Sequence, residues 1–155
     1  MIPEVGTNFV FSKPSPKTIN DIVGVSGRIV KTFQSVLVAG SLEYGGSRHV
    51  GTALLEVAKK FPHTRSSINV KFGNKLVKHA QRKGMHIRSY SRFDEPAKTK
   101  SKEGKTISWG IKGIIKCENK VPDMVFHTGD TGKEPMIILF GKNPKDVLDK
   151  LAKII

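Results

Sequence analysis

The stretch His127-Thr-Gly-Asp-Thr-Gly-Lys-Glu-Pro-Met136 packs two glycines, two acids, a lysine and a proline between the apolar runs Met124 to Phe126 and Met136 to Phe140. Glycine reaches φ > 0 at no steric cost and lets the backbone approach a ligand closely, so Gly129 and Gly132 predict a tight loop. Asp130, Lys133 and Glu134 place both signs of charge on it. A loop of this composition, slung between rigid strands, is suited to holding a charged ligand against backbone.

Three further constellations carry chemical potential. Gly45-Gly-Ser-Arg-His49 stands directly before a helical pattern that begins near Val50. A glycine turn feeding a helix N-terminus offers unpaired N–H groups and the positive end of the helix dipole, which together bind phosphate. Gly46, Ser47, Arg48 and His49 would form that site. The alternative is a plain turn with Ser47 capping the helix. Arg28, in Gly27-Arg-Ile-Val-Lys31, has the planar fork that grips a pyrophosphate, although an arginine taken alone is ordinarily a solvated surface residue. In Ser89-Tyr-Ser-Arg-Phe-Asp-Glu-Pro96, Arg92, Asp94 and Glu95 lie close together, as an anion or metal site or, more ordinarily, as an internal ion pair.

Other chemistries are excluded. Gly132-Lys133 is not a nucleotide P-loop, because position 127 is His where the first glycine belongs and position 134 is Glu where Ser or Thr belongs. No G-x-G-x-x-G occurs, and His63, His79, His86 and His127 lack metal-ligand spacing. Cys117 is the sole cysteine, so neither an internal disulfide nor a thiol pair can form, and its place in a predicted helix argues for packing. Trp109 reads as a core residue rather than a base-stacking one. Lysine and arginine total 27 against 13 acids, a net +14 that draws anions of any kind. Many of the lysines are spread along predicted helix faces without interleaved aromatics, which reads as a solvated surface and against nucleic acid. No apolar run approaches the ~20 residues that span a bilayer, and no signal pattern opens the chain, so a soluble, cytoplasmic protein without membrane contact is expected.

The elements that must position these residues alternate. A length of 155 residues suits one domain over residues 1–155. Val5 to Ser12 is rich in β-formers, and Gly27 to Lys31 with Ser35 to Ala39 predicts a hairpin turning near Thr32 to Gln34. Ile19, Ile22 and Val23 form a short segment leading into it. Val50, Ala53, Leu54, Val57 and Ala58 recur at helical period until Pro62. Ile68, Val70 and Phe72 alternate like a strand, and Asn74 to Lys83 is helical with Gly84 as stop signal. Ile87 to Arg92 is a strand, and Lys98 to Lys105, without an apolar residue, reads as a mobile exposed loop. Thr106 to Glu118 is a third helix and Asp123 to His127 a further strand. Asn143 caps a last helix to Ile154, with Pro144 at its first position. About seven strands and four helices with hairpin-like neighbours predict an α/β fold on a mixed sheet.

Taken together, Ile2-Pro-Glu-Val5 with Asn8, Gly27-Arg-Ile-Val30, Gly45-Gly-Ser-Arg-His49, Ile68-Asn69, Ser91-Arg-Phe-Asp-Glu-Pro96, Ser108-Trp-Gly110, Val121-Pro-Asp123 and Gly129 to Met136 resemble the archaeal-type thiamine-phosphate synthase domain, ThiN. The resemblance runs from Ile2 to the final helix. It implies a three-layer α/β/α fold with a mixed, largely antiparallel sheet, similar to class II aldolases but without their metal-binding histidines. It implies a transferase that joins hydroxymethylpyrimidine diphosphate to hydroxyethylthiazole phosphate, two phosphorylated small molecules, with loss of pyrophosphate. A kinase domain often precedes this domain, so the chain is expected as the C-terminal portion of a bifunctional protein, with a free-standing form as the alternative. Active members carry an arginine and a histidine where this chain has Arg28 and His49, whereas regulatory members tend to lose that pair. The implied clamp for pyrophosphate is Arg28, assisted by His49. Lys133 and the N–H groups of 129–132 hold the thiazole phosphate, with Arg92 as alternative, and Asn69 and Arg48 are further expected substrate- or phosphate-binding residues. Asp130 faces the pyrimidine amino group or a magnesium ion carried by the pyrophosphate, with no organic cofactor. The competing readings are a noncatalytic thiamine-phosphate sensor and, against the charge pattern, plain RNA binding; a homodimer is expected.

Overall fold

The computed structural model describes residues 1–96 and 105–155. In chain order the elements are β1 (Phe9–Ser12), a single 3-10 turn (Ile19–Asp21), β2 (Ile22–Val25), β3 (Arg28–Lys31), β4 (Val36–Ala39), β5 (Leu42–Tyr44), α1 (Arg48–Lys60), β6 (Ser66–Lys71), α2 (Asn74–Arg82), β7 (Ile87–Ser89), α3 (Lys105–Lys116), β8 (Met124–His127), β9 (Met136–Gly141) and α4 (Pro144–Ala152). Seven strands form one sheet in the order β5-β2-β1-β6-β9-β8-β7, and β3 and β4 form a separate ribbon. Every pair is antiparallel except β7 with β8.

The layering follows from the two-residue period of a strand. All six residues of β9 are buried, so this strand feeds two cores. Ile138 and Phe140 pack with Val50, Leu54 and Val57 of α1 and Ile107, Ile111 and Ile115 of α3. Ile137 and Leu139 point the other way, onto Val77 and Ala80 of α2 and Val147 and Leu151 of α4. Helices therefore cover both faces, giving an α/β/α sandwich with a largely antiparallel mixed sheet. Each of these fully buried aliphatic side chains contributes about 1.5–3 kcal/mol by leaving water. Asn143 accepts the Asp146 N–H (2.9 Å) and Pro144 opens α4, the start that the sequence predicts.

The structure departs from the sequence reading in five places. The strand expected from Val5 is regular only from Phe9, because Thr7 leaves the sheet to bridge Ile29 (2.8 Å in both directions). β2 and β5 are additional strands; β5 has three residues, all exposed, and so lacks the alternation that marks a half-buried strand. The strand expected to run to Arg92 stops at Ser89, releasing Tyr90 and Arg92 toward the interior. Cys117 lies just past α3 and is exposed rather than packed. Trp109 is half-buried and meets Tyr90 edge-on at 6.2 Å. Of the loop expected over 98–105, all but Lys105 lies outside the described residues, and Lys105 opens α3.

Candidate active site

A cavity of about 540 Å³ opens at the end of the sheet where β1 and β9 begin and β6 and β8 finish. Segments far apart in sequence build it. The N-terminal stretch gives Val5, Gly6 and Asn8, β3 gives Arg28, and the start of α1 gives Gly46, Arg48, His49 and Val50. Asn69, Arg92, His127, Lys133, Glu134 and Met136 complete the wall. The cavity thus includes the N-terminus of a 13-residue helix, whose first N–H groups have no intrahelical partner.

Arg28 is aimed by backbone. Its Nε donates to Val5 O (3.2 Å) and its Nη1 to Gly27 O (2.8 Å). The Asn8 amide, oriented so that both its ends are satisfied, accepts from Nη1 (2.8 Å) and donates to Val25 O (3.1 Å). Nη2 is left for an anion. Gly6 takes φ +81° directly under this side chain, and a Cβ there would stand 2.8 Å from Arg28 Cβ, so the close approach requires glycine. Arg92 is buried behind the cavity, 3.8 Å from Glu95, so it serves both the ion pair expected from sequence and the cavity wall. Its Nε has no hydrogen-bond partner.

Other predicted residues are placed differently. Asn69 reaches the wall, but its amide donates to Gly6 O (3.1 Å) and accepts the Asn8 N–H (2.6 Å), so it ties the N-terminal stretch to β6 rather than offering itself to a phosphate. Ser47 is buried and makes no cap bond, and it does not line the cavity. Gly129, Asp130 and Gly132 do not line it either. The loop closes on itself instead. Gly129 N–H donates to His127 Nδ1 (3.2 Å), Asp130 and Lys133 exchange backbone bonds (3.2 and 2.8 Å), and Thr131 N–H caps Asp130 Oδ1 (2.8 Å). Gly129 and Gly132 serve the turn, at φ +88° and +69°, and Lys133 and Glu134 are what the loop delivers.

The electrostatics are cationic. Among the described residues Arg28, Arg48, Arg92 and Lys133 line the cavity against one carboxylate, Glu134, and that carboxylate accepts the N–H groups of Glu4 (3.0 Å) and Val5 (3.3 Å). His49 keeps access to water, yet atoms packed around its ring disfavour the charged form, and Arg92, Arg28 and Lys133 lower its pKa further. His127 is buried, and burial with the charge of Arg92 lowers its pKa to about 4. It is a neutral imidazole near pH 7. Because Nδ1 accepts from Gly129, the ring proton sits on Nε2, a neutral donor among cations.

Sequence reasoning did not assign roles to His127, Asn8 or Glu134. Nothing in local spacing marks them, since each acts through a contact formed by the fold; the signal was their place beside glycines at the edges of strands. Tyr90, half-buried between His127 (5.3 Å, ring to ring) and Trp109, is likewise legible only in space. Its burial raises the phenol pKa to about 12, so it stays neutral.

With this geometry in hand, comparison with known proteins is direct. The family model of the thiamine-phosphate synthase ThiN matches residues 1–153. The thiamine-phosphate synthase ThiN of Methanothermobacter thermautotrophicus is 32% identical over 155 residues, covering 100% of this chain and 82% of that protein. The bifunctional thiamine biosynthesis protein ThiDN of Methanocaldococcus jannaschii is 34% identical, with 99% of this chain matching 36% of that one. The solved C-terminal domain of a phosphomethylpyrimidine kinase superposes with a TM-score of 0.91 at 44% identity, covering 99% of this chain and 87% of that one. This chain belongs to the ThiN family and is a thiamine-phosphate synthase of thiamine biosynthesis.

Proposed function

We propose that the cavity joins hydroxymethylpyrimidine diphosphate to hydroxyethylthiazole phosphate. The thiazole nitrogen forms a bond to the pyrimidine methylene carbon as the bond from that carbon to the diphosphate oxygen breaks, giving thiamine phosphate and pyrophosphate. The observation that carries this reading is the meeting of Arg28, His49, Arg92 and Lys133 on one cavity at a helix N-terminus. A departing diphosphate gathers negative charge, and fixed cations and N–H dipoles stabilise it with no reorganisation. Arg28 is the clamp, because its Nε and Nη1 are anchored and Nη2 is not. An arriving diphosphate reverses the cationic field on His49, so the ring gains a proton as the anion binds and can hold or protonate the leaving group. Lys133 and Arg92, which line the same cavity, take the thiazole phosphate. His127 Nε2–H gives the heterocycles a neutral donor.

Magnesium enters this reading as the counter-ion of the diphosphate. Among the described residues no group of three or more His, Cys, Asp or Glu is placed to hold a metal, and Glu134 is engaged with backbone N–H groups. The ion would be carried by the substrate's own oxygens, where it would neutralise charge. The three-layer frame is read as that of class II aldolases, and an upstream kinase domain, which the name of the bifunctional relative suggests, would supply the diphosphate in the same chain. No helix of the described residues is long and apolar enough to cross a membrane, in keeping with a cytoplasmic reaction.

The test is an incubation with both precursors and magnesium, read as thiamine phosphate and pyrophosphate. Arg28→Ala and His49→Ala are each expected to lower kcat/KM by about 10²–10³-fold, the usual cost of one charge-stabilising group. Tight binding of thiamine phosphate with no turnover by the unaltered chain would overturn the reading in favour of a sensor.

A further inference from the structure

Among the described residues eleven large apolar side chains are markedly exposed, and six of them, Phe33, Val36, Leu37, Val38, Leu42 and Tyr44, fall within twelve positions. This is a patch rather than the usual scatter of single apolar residues. Phe33, at the hairpin tip, is 97% exposed, and all four residues of β4 are open to solvent. Cross-strand pairing sends Val38 and Val36 to one face of the ribbon and Leu37 and Ala39 to the other, so neither face of β4 is covered. Two strand edges are bare as well. β4 pairs only with β3, and β5 pairs only with β2 at the end of the main sheet. A two-stranded hairpin without cover is marginally stable, and exposed edges are normally shielded by charge, proline or a partner.

Charge identifies the partner. Of 155 residues 40 are charged (27 basic plus 13 acidic), yet residues 32–42 contain none. Two copies that each carry +14 repel one another wherever lysines and arginines meet, and the repulsion is least along this neutral run. A polyanion or an acidic protein would be drawn to the basic faces instead. The patch is also self-complementary, because a bare edge strand can pair with its own copy across a twofold axis. We propose that the β3–β4 hairpin and the β5 edge form the surface on which a second copy of this chain docks.

The arrangement bears on the site. Arg28 is the first residue of β3, and Ile29 holds the N-terminal stretch by two bonds to Thr7. A second copy that fixes the hairpin therefore steadies the strand that aims the guanidinium.

Light scattering on the eluting chain at 100 µM is expected to give twice the 17.1 kDa monomer mass, and Leu37→Lys with Val38→Lys is expected to halve it while retaining the helical circular dichroism. A monomer at that concentration overturns the proposal, as does a dimer that both substitutions leave intact. Should the double variant fail to fold, hydrogen exchange on the unaltered chain decides. Amides of residues 36–44 are expected to exchange at least tenfold more slowly at 100 µM than at 1 µM, and equal rates at the two concentrations overturn the docking surface. Both readouts are independent of turnover, so they stand or fall apart from the assignment of substrates.

Discussion

His127 shows how much one side chain depends on its surroundings. Buried among cations and accepting the Gly129 N–H, it stays neutral down to a pKa of about 4, whereas an unfolded histidine titrates near 6.5. The unfolded chain thus binds the extra proton between those values, and stability falls as the pH is lowered through that window. The contribution is complete above about pH 6.5, and about 2 kcal/mol of it is lost by pH 5. His49, also lowered, acts in the same direction. Calorimetry from pH 8 to pH 5 should show a falling Tm, and His127→Gln should flatten that slope. An unchanged slope would mean that the ring is solvated or differently bonded. Residue chemistry was only partly legible in the sequence. Arg28 and His49 stand out through the family resemblance, since taken alone the one reads as a surface arginine and the other equally well as part of a plain helix-opening turn, and the neutrality of His127 arises from burial, which no spacing encodes.

Helix α3 carries two glycines with opposite prospects. A Cβ at Gly110 would meet the Tyr90 ring at 2.5 to 2.6 Å, and a rigid aromatic wedged between Trp109 and His127 has little room to yield. At Gly113 a Cβ meets nothing within 4 Å. Gly110→Ala is therefore expected to cost about 1–3 kcal/mol by overpacking and to lower activity through Tyr90 and His127. Gly113→Ala should gain about 0.5–1 kcal/mol from helix propensity alone. Chemical denaturation of the two variants checks both signs, and equal effects would show that the helix does not lean on Tyr90. The element itself is readable from Ile107, Ile111 and Ile115 at helical spacing, as α1, α2 and α4 are from theirs. β2 and β5 are not, because four residues beside a 3-10 turn and three fully exposed ones are too short for a period to register. Without them β1, β6, β9, β8 and β7 still form a contiguous sheet between the helices, so the α/β/α outline survives their omission.

At the scale of the whole molecule, what the sequence withholds is convergence. Arg28, His49, Arg92 and Lys133 meet because β1, β6, β8 and β9 bring their ends to one side of the sheet, and antiparallel pairing of distant segments, Phe9 with Ile68 and Ser66 with Gly141, is not written in any local pattern. The net +14 is likewise two populations of charge. Surface lysines such as Lys78 and Lys153 are exposed, whereas Arg28, Arg48, Arg92 and Lys133 share one concavity that focuses their field. Raising ionic strength from 0.05 to 0.5 M shortens the screening length to about 4 Å, so attraction of a diphosphate into the cavity should weaken and KM rise several-fold, on the order of fivefold. The chemical step, made among groups already in contact, should leave kcat within about twofold. Lys78→Glu with Lys153→Glu should leave KM nearly as it was, because those charges lie outside the cavity, while Lys133→Ala should raise it. If the remote pair shifts KM as much as Lys133→Ala does, substrate capture belongs to the global charge rather than to the cavity.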